Sequence, residues 1–375
     1  MLRKLVTKVV LAVLLLLSLT LSGDLPFRAN SFYGIAESFT FSIASWEADN
    51  FFDKWSYEVK ELCHKSNLSE EEEIQLVETH SQLGKQAGLL EDKINQAVSV
   101  SEGENTENLE LWKSQLASVE KKRAEIQDEV EAIIEQQVTS LLAEEGLFLG
   151  RGFVFPPVDF KAEELPYILI VSPRYRIELE ETILLRPEMS LEEISHIEER
   201  VEELGVSALV EQIGGIATYP SMVPKTASLD FILSTVAHEW MHQYLFFHPL
   251  GRHYWSSCEM RTINETVADI TGDEMGSRLL HRYYGHEVKR GKGGEQKLTF
   301  NFNKEMREIR LAIDEYLERG EIEEAEHFME ERRQYLASKG YFIRKLNQAY
   351  FAWHGTYADR PTSVNPMGKQ LTQLR

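Results

Sequence analysis

The chain contains 375 residues, and its 61 acidic side chains outnumber 40 basic ones to give a formal net charge of −21. The length allows a substantial core and two or three lobes, whereas the charge argues against a nucleic-acid partner, because the phosphate backbone would repel the protein. The only two cysteines, Cys63 and Cys258, do not make a disulfide scaffold and lack the spacing of a metal site. Composition therefore predicts a soluble body with its own hydrophobic core.

Residues 1–25 are typical of a signal anchor or a signal peptide. Arg3, Lys4 and Lys8 precede an almost wholly apolar run at 9–21, and this order of charge and hydrophobicity is that of a targeting segment. Counted from Leu5, with Lys8 extended towards the interface, the run approaches the length that spans a bilayer. The sequence therefore predicts a membrane-anchored protein with its body outside the cytoplasm, and secretion after signal cleavage is the alternative.

Two series of apolar residues at 3–4 spacing predict a helical hairpin within residues 26–148. The first series runs over 76–97 and the second over 109–133, with a polar break at 99–108 between them. Such coiled-coil-like patterning suits a spacer, a self-association arm or a partner-binding surface. A hairpin folded onto the following lobe is equally compatible with the pattern.

Residues 149–286 carry strand and helix patterns in turn, which predicts an α+β lobe. The runs 167–171 and 182–185 are typical of strands, and Ser190 opens an amphipathic helix over 190–204. Residues 214–220 are interpreted as a further strand, opened by glycines and closed by Pro220. An ordinary turn followed by a strand is the alternative for this last segment.

The residues His238, Glu239 and His242 match the pattern H-E-x-x-H. On a helix, two histidines four residues apart share one face and can reach one metal ion, with the glutamate beside them. So short a pattern also occurs by chance. The preceding segment 229–237 is strongly apolar, however, and predicts a buried helix on which histidines and a glutamate need partners or a metal.

A second motif, from Asn264 to Asp269, follows about twenty residues later. It places Glu265 and Asp269 four residues apart, again on one helix face. Catalytic zinc takes three protein ligands and keeps one position open, so Glu265 is the candidate third ligand. Asp269 is then positioned to accept a hydrogen bond from a ligating histidine and to fix its tautomer.

Together the two motifs resemble those of the gluzincin metallopeptidases, such as thermolysin-like enzymes and the related zinc aminopeptidases, over about residues 210–285. The resemblance implies a zincin-like catalytic lobe that binds Zn²⁺ through His238, His242 and Glu265. It also implies that Glu239 is the general base and Asp269 the partner of a ligating histidine. Peptide substrates of this family add a strand to an edge, which we place at Gly215, Ile216, Ala217 and Thr218.

Residues 287–375 are predicted to be helical, with a second hairpin over 303–319 and 321–338 and a helix over 341–350. The aromatic-rich segment 351–359 is unusual for an exposed tail, which suggests that it returns to the core or the cleft. We expect His354 or Tyr357 to supply the catalytic donor that stabilises the oxyanion. His281 and Tyr219 are the competing candidates.

The sequence therefore predicts a membrane-anchored zinc metallopeptidase that hydrolyses peptide or protein substrates outside the cytoplasm. Its expected domains are an anchor or signal at 1–25, a helical hairpin arm at 26–148, a zincin-like catalytic lobe at 149–286 and a C-terminal helical region at 287–375. The alternative from another class is a membrane-tethered helical scaffold whose zincin-like lobe binds without cleaving.

Overall fold

The computed structural model describes residues 31–47, 68–100, 106–147, 154–285, 300–358, 360, 362–363, 370–371 and 373. Its helices are α1 (Ser31–Ala36), α2 (Glu70–Val100), α3 (Thr106–Glu144), α4 (Leu191–Glu202), α5 (Leu229–Phe246), α6 (Pro249–Arg252), α7 (Cys258–Tyr284), α8 (Phe302–Glu318), α9 (Ile322–Ser338) and α10 (Gln348–His354). Its strands are β1 (Phe160–Glu163), β2 (Tyr167–Pro173), β3 (Glu181–Leu185), β4 (Val206–Gln212) and β5 (Ser221–Pro224). The fold is therefore α+β, as the sequence predicts.

A three-stranded antiparallel sheet with the order β3-β2-β4 supports one side of the molecule. Its central strand β2 is an almost continuous apolar run because both of its faces are covered. Leu169 and Val171 pack against α4, while Ile168 and Ile170 pack on the other side against Ala349 of α10. This division follows from the alternation of side chains along a strand. Strands β1 and β5 form a separate parallel pair.

Helix α4 confirms the predicted helix that begins after Ser190. The Ser190 hydroxyl accepts a hydrogen bond from the Glu193 backbone at 3.2 Å, and the Glu193 carboxylate accepts one from the Ser190 backbone at 2.9 Å. This reciprocal capping box satisfies two backbone donors that a helix start would otherwise leave unpaired. The buried Glu198 of the same helix binds Arg344, which joins the C-terminal region to the sheet.

The hairpin of α2 and α3 is folded onto the rest of the protein. The second half of α3 contributes Ile134, Val138 and Leu142 to a core that also contains Trp240 of α5 and Leu279 of α7. Of the arrangements that the sequence allows, the structure therefore shows the hairpin packed on its neighbouring lobe. Self-association through this arm remains a prediction.

The second hairpin, α8 and α9, is confirmed, but the helix predicted over 341–350 is wrong. Residues 341–347 form a loop in which Tyr341 stacks on Phe302 at 4.5 Å between ring centroids. The next helix starts only after Asn347, whose side chain caps it by accepting a hydrogen bond from Tyr350 N at 2.9 Å. An asparagine is a strong N-cap residue, so the helix begins at Gln348, seven residues later than predicted.

Among the residues that the structure describes, we find no helix long and apolar enough to cross a membrane. The predicted membrane-anchored location, with an extracytoplasmic catalytic domain, is contradicted by this finding. Residues 1–25, on which that prediction was based, lie outside the described part of the chain.

Candidate metal centre

Helix α5 carries the first motif between a buried face and a cleft. Its apolar residues Leu233, Val236 and Trp240 enter the core shared with α3, and the Trp240 indole donates a hydrogen bond to Pro156 O at 2.8 Å. His238 and His242 lie on the opposite side and line the cleft. The helix is thus fixed by its apolar side while its polar side remains available for chemistry.

Two glycines of α7 allow it to approach α5 very closely. A Cβ atom at Gly276 would lie 2.8 Å from Ser234 Cα, and one at Gly272 would lie 3.0 Å from His238 Cβ. Real side chains do not tolerate such separations, so only glycine fits at these two positions. The short distance between the helices brings the second motif on α7 against the first motif on α5.

Three possible ligand atoms converge where the two helices meet. The Nε2 atoms of His238 and His242 are 3.0 Å apart, and Glu265 Oε2 lies 3.8 Å from the first and 3.4 Å from the second. Tetrahedral zinc with bonds of 2.0–2.2 Å needs donor atoms about 3.3 Å apart. Glu239 belongs to the same group, since one ligand atom each from His238, Glu239 and His242 fall within 4.8 Å of one another.

The electrostatics distinguish the two glutamates. Burial raises the pKa of Glu239 to about 8. Burial would also raise the pKa of Glu265, but His242 and His238 outweigh it and hold this pKa at about 2. Glu265 is therefore a permanent anion suited to binding a cation, whereas Glu239 can both take up and release a proton near neutral pH.

The histidines have opposite pKa shifts because Glu265 acts more strongly on His242, the nearer of the two, to which it is also hydrogen-bonded. Burial lowers the pKa of His238 to about 4. Burial also acts against the charged form of His242, but the Glu265 carboxylate overcomes it and raises the pKa to about 9. Without a metal, a proton on His242 is the cation that neutralises Glu265. A metal ion at this position would take over that role and displace the proton.

Partners around the ligands orient them. His242 Nδ1 donates to Asn264 Oδ1 at 2.8 Å. His238 Nδ1 lies 3.8 Å from Asp269 Oδ1, which is near but too long for a hydrogen bond. Asp269 is held instead by Arg360, whose Nε and Nη2 donate to its two oxygens at 3.0 and 2.9 Å. Asp269 is therefore placed beside its predicted histidine and fixed by a residue from far along the chain.

Two tyrosines also border the centre. The Tyr254 hydroxyl donates a hydrogen bond to Glu265 Oε1. The other carboxylate oxygen, Oε2, is the one nearer the histidines. The Tyr357 ring lies 6.4 Å from the His238 ring between centroids, and Tyr357 lines the cleft. Within the described part of the chain, we find no hydrogen-bond partner for its hydroxyl, so this donor is available to a substrate.

His354, the other predicted donor, is directed elsewhere. It lines the same cleft, but its Nε2 donates to Glu211 Oε2 at 2.8 Å. The competing candidates His281 and Tyr219 do not belong to the cleft lining. Trp353, His354 and Tyr357 line the cleft, so the described part of the predicted segment returns there, and the Tyr357 ring is a neighbour of the His238 ring. Asp359 lies outside the described residues.

The glycine segment lies at the cleft but is not the strand that we predicted. Ile216 makes only an isolated bridge to Met222, because the chain turns at Thr218, whose hydroxyl donates to Pro220 O at 2.7 Å. Gly215, Ile216 and Ala217 line the cleft, whereas Thr218 is buried away from it. The alternative of a turn followed by a strand, here β5, is therefore correct.

Gly215 has a specific steric role in this segment. A Cβ atom there would lie 2.8 Å from Thr235 Cγ2 and 3.0 Å from Glu239 Cδ, so a side chain would displace the Glu239 carboxyl. The cleft as a whole has a volume of about 980 Å³. That is the upper end of the range for ligand pockets and provides room for an extended peptide.

Sequence reasoning missed four residues of the site. Asn264 had a weak signal, since it directly precedes the proposed ligand Glu265. Tyr254, Arg360 and Glu211 had none, because each reaches the cleft through the tertiary fold and not through local spacing.

Comparison of the chain with models of protein families, with curated proteins and with solved structures finds no significant match.

Proposed function

We propose that this protein is a zinc-dependent metallopeptidase in which His238, His242 and Glu265 bind the metal and Glu239 is the general base. The observation that carries the proposal is the convergence of two imidazole nitrogens and one carboxylate oxygen within 3.0–3.8 Å of one another. This convergence lies in a cleft of about 980 Å³. The gluzincin resemblance of the two motifs supports the same reading, and the zincin-like lobe is part of the proposal.

The donor set fits zinc better than it fits the hard cations. Two imidazoles and one carboxylate are ligands of catalytic zinc sites, whereas magnesium and calcium prefer oxygen ligands alone. A zinc ion held there would supply a Lewis acid that polarises a carbonyl and acidifies water. Asn264 supports the proposal because it fixes the His242 ring with Nδ1 protonated, which leaves Nε2 free to bind a metal.

The reaction assigns separate tasks to residues of this chain. Glu239 accepts the proton of the attacking water and later delivers it to the leaving amine, and a pKa near 8 suits both transfers. Tyr357 is our proposed donor to the oxyanion. Tyr254 is also near the ligands, but its hydroxyl already donates to Glu265. The backbone of Gly215, Ile216 and Ala217 borders the place where a peptide would lie.

The test is hydrolysis of a peptide library by the purified chain, with and without a chelator. We expect cleavage that the chelator abolishes. Glu239→Gln keeps the shape of the side chain but removes the base, so zinc content should be unchanged while turnover falls by about 100- to 10,000-fold. As a control, Glu199→Gln makes the same substitution on the exposed face of α4 and should cleave like the wild type.

Two results would count against the proposal. If Glu239→Gln cleaved as fast as the wild type, the assigned mechanism would be wrong. If the zinc-loaded wild type cleaved nothing, the alternative of a lobe that binds without cleaving would replace the enzyme.

A further inference from the structure

The cleft extends beyond the metal centre to a second surface, which we call the sheet-side wall. It is formed by apolar and aromatic residues of the sheet, the loop after β4 and α10, together with one carboxylate and one histidine. Its members are Ile168, Leu184, Glu211, Ile213, Tyr350, Trp353 and His354. The apolar members pack on the core behind β2 and β4, so the wall is a rigid part of the fold.

Glu211 is the charged group of this wall, and one of its oxygens is available. Oε2 accepts the hydrogen bond from His354. The Glu211 side chain is 26% exposed and the His354 side chain is 35% exposed. Within the described residues, we find no hydrogen bond to Oε1. The guanidinium of Arg344, whose pKa Glu211 helps to raise, is already bound to Glu198 and to Val210 O.

The surroundings of Glu211 suit a cation. Tyr350 lies against His354, with ring centroids 4.3 Å apart, and burial raises its pKa, with the Glu211 charge adding to the effect. Trp353 presents a partly exposed indole on the same wall. A carboxylate that shares a cleft wall with aromatic side chains can attract ammonium and guanidinium groups through charge-assisted hydrogen bonds and cation–π contacts.

The charge balance of the rest of the cleft also favours a cationic ligand. The Asp269–Arg360 pair neutralises itself, and Glu239 and Glu265 belong to the metal centre. The carboxylates of Glu211 and Asp230 then outnumber Arg252 among the other lining residues. A cleft lined mainly by one sign of charge concentrates ligands of the opposite sign.

The chain itself fixes how far this wall can be from the reaction. Glu211 is four residues before Gly215, which contacts the Glu239 carboxyl. Four residues span at most about 14 Å, and an extended peptide rises about 3.3 Å per residue. A group bound at Glu211 would therefore lie within about four residues of the cleaved bond.

We propose that Glu211, together with Tyr350 and Trp353, binds a cationic group of the peptide substrate within about four residues of the scissile bond. The group is an ammonium or a guanidinium, carried either by a basic side chain or by the peptide's amino terminus. The proposal rests on the peptidase function for its substrate, but binding at this wall can be measured without cleavage.

The experiment uses calorimetry to measure the binding of peptides to the zinc-loaded full chain. This chain carries Glu239→Gln, so that the peptides are not cleaved during the measurement. The peptides share an alanine-rich sequence of about eight residues and contain either one lysine or its neutral analogue norleucine, each with a free or an acetylated amino terminus. A second protein carries Glu211→Gln together with Glu239→Gln, and a control protein carries Glu199→Gln together with Glu239→Gln. We expect Glu211→Gln to weaken binding of the cationic peptides about tenfold, the value of one charge-assisted hydrogen bond, and to leave the acetylated norleucine peptide unaffected.

The peptide arms identify the source of the cation. If Glu211→Gln no longer weakens binding once the amino terminus is acetylated, the bound cation is the terminal ammonium. If it no longer weakens binding once lysine is replaced by norleucine, the bound cation is the side chain. Equal affinity for cationic and neutral peptides, no binding of any peptide, or the same loss with Glu199→Gln would overturn the proposal. If Glu211→Gln does not fold, Trp353→Leu decides instead, with a several-fold loss expected for the cationic peptides only. If the Glu211 effect persists while the zinc-loaded wild type cleaves nothing in the peptide library, the peptidase function is refuted and this site is retained.

Discussion

The pair formed by α5 and α7 and the hairpin formed by α2 and α3 are both antiparallel helix pairs, but they are built in opposite ways. In the first pair, Gly272 and Gly276 bring the helices into close contact, and the buried polar groups are partners of one another. In the second pair, the seam is filled by apolar residues such as Ala87, Leu90 and Val119. The close contact positions chemistry, whereas the apolar seam provides stability.

The hairpin also tolerates polar residues that are poorly satisfied. His80 and Arg123 lie in its seam, and His80 Nε2 has no hydrogen-bond partner among the described residues. Buried polar atoms without partners cost stability, and the hairpin bears this cost because its remaining seam is apolar. At α5 and α7 the same defect would disorder the donor atoms themselves, so we expect substitutions there to have larger effects.

The largest effect should come from removing a ligand. Glu265→Ala takes away the only proposed carboxylate donor of the metal and should weaken zinc binding by at least about 100-fold. The matched control is Glu259→Ala, at the exposed start of the same helix. Metal analysis of the purified proteins should find about one zinc per chain in the control and little in Glu265→Ala, and full zinc in both would refute the ligand assignment.

A single methyl group should distinguish the two helix pairs. In Gly276→Ala, the new Cβ would lie 2.8 Å from Ser234 Cα, and such overpacking should lower the free energy of unfolding by about 1–3 kcal/mol. In Gly88→Ala of α2, no atom lies within 4 Å of the new Cβ. Because alanine favours a helix over glycine, this variant should gain about 0.5–1 kcal/mol.

Urea denaturation at neutral pH measures both glycine variants. Opposite signs are the expected result, since the backbone change is the same and only the surroundings differ. A Gly276→Ala protein as stable as the wild type would show that α5 and α7 are not held as closely as described here.

The last effect, which appears only in acid, concerns the stability of the hairpin. Burial and then the charge of Arg123 lower the pKa of His80 to about 4, below the 6.5 of an unperturbed histidine. Between pH 6.5 and 4 the unfolded chain therefore takes up a proton that the folded chain refuses, so stability is complete above pH 6.5 and falls below it. His80→Leu removes this term, and the wild type should lose about 2 kcal/mol more than the variant between pH 7 and 4.5. Equal losses in denaturation curves would show that His80 is not buried in its neutral form.

The local parts of the fold were predictable because their signals are local. The 3–4 spacing over 76–97 and 109–133 and the charged pattern of the second hairpin depend on neighbours in sequence. The strands β2 and β3 followed from short apolar runs. Residues 214–220 and 341–350 were assigned wrongly because side chains redirect the backbone locally there: the Thr218 hydroxyl bonds to Pro220 O in a turn, and the Asn347 side chain caps a helix that begins after it.

In the candidate site, the residues that helical spacing defines were predicted, whereas contacts between distant segments were not. His238 and His242, like Glu265 and Asp269, were predicted because a spacing of four residues places each pair on one helix face, and Glu239 was predicted because it lies beside the first pair. The placement of His354 on Glu211 could not be foreseen, since the two residues are 143 positions apart in the chain. No pattern within one segment carries information about a partner that the fold brings from another.

The contact between Arg360 and Asp269 has a consequence for the biosynthesis of the protein. The two residues are 91 positions apart, and a ribosome adds about 5–20 residues per second. Arg360 is therefore synthesised roughly 5–18 seconds after Asp269. From the synthesis of residue 284 onwards, both helices of the candidate metal centre have been synthesised while the side chain beside His238 still lacks the guanidinium that holds it. The order of translation thus delays the completed centre until the chain has been synthesised past residue 360.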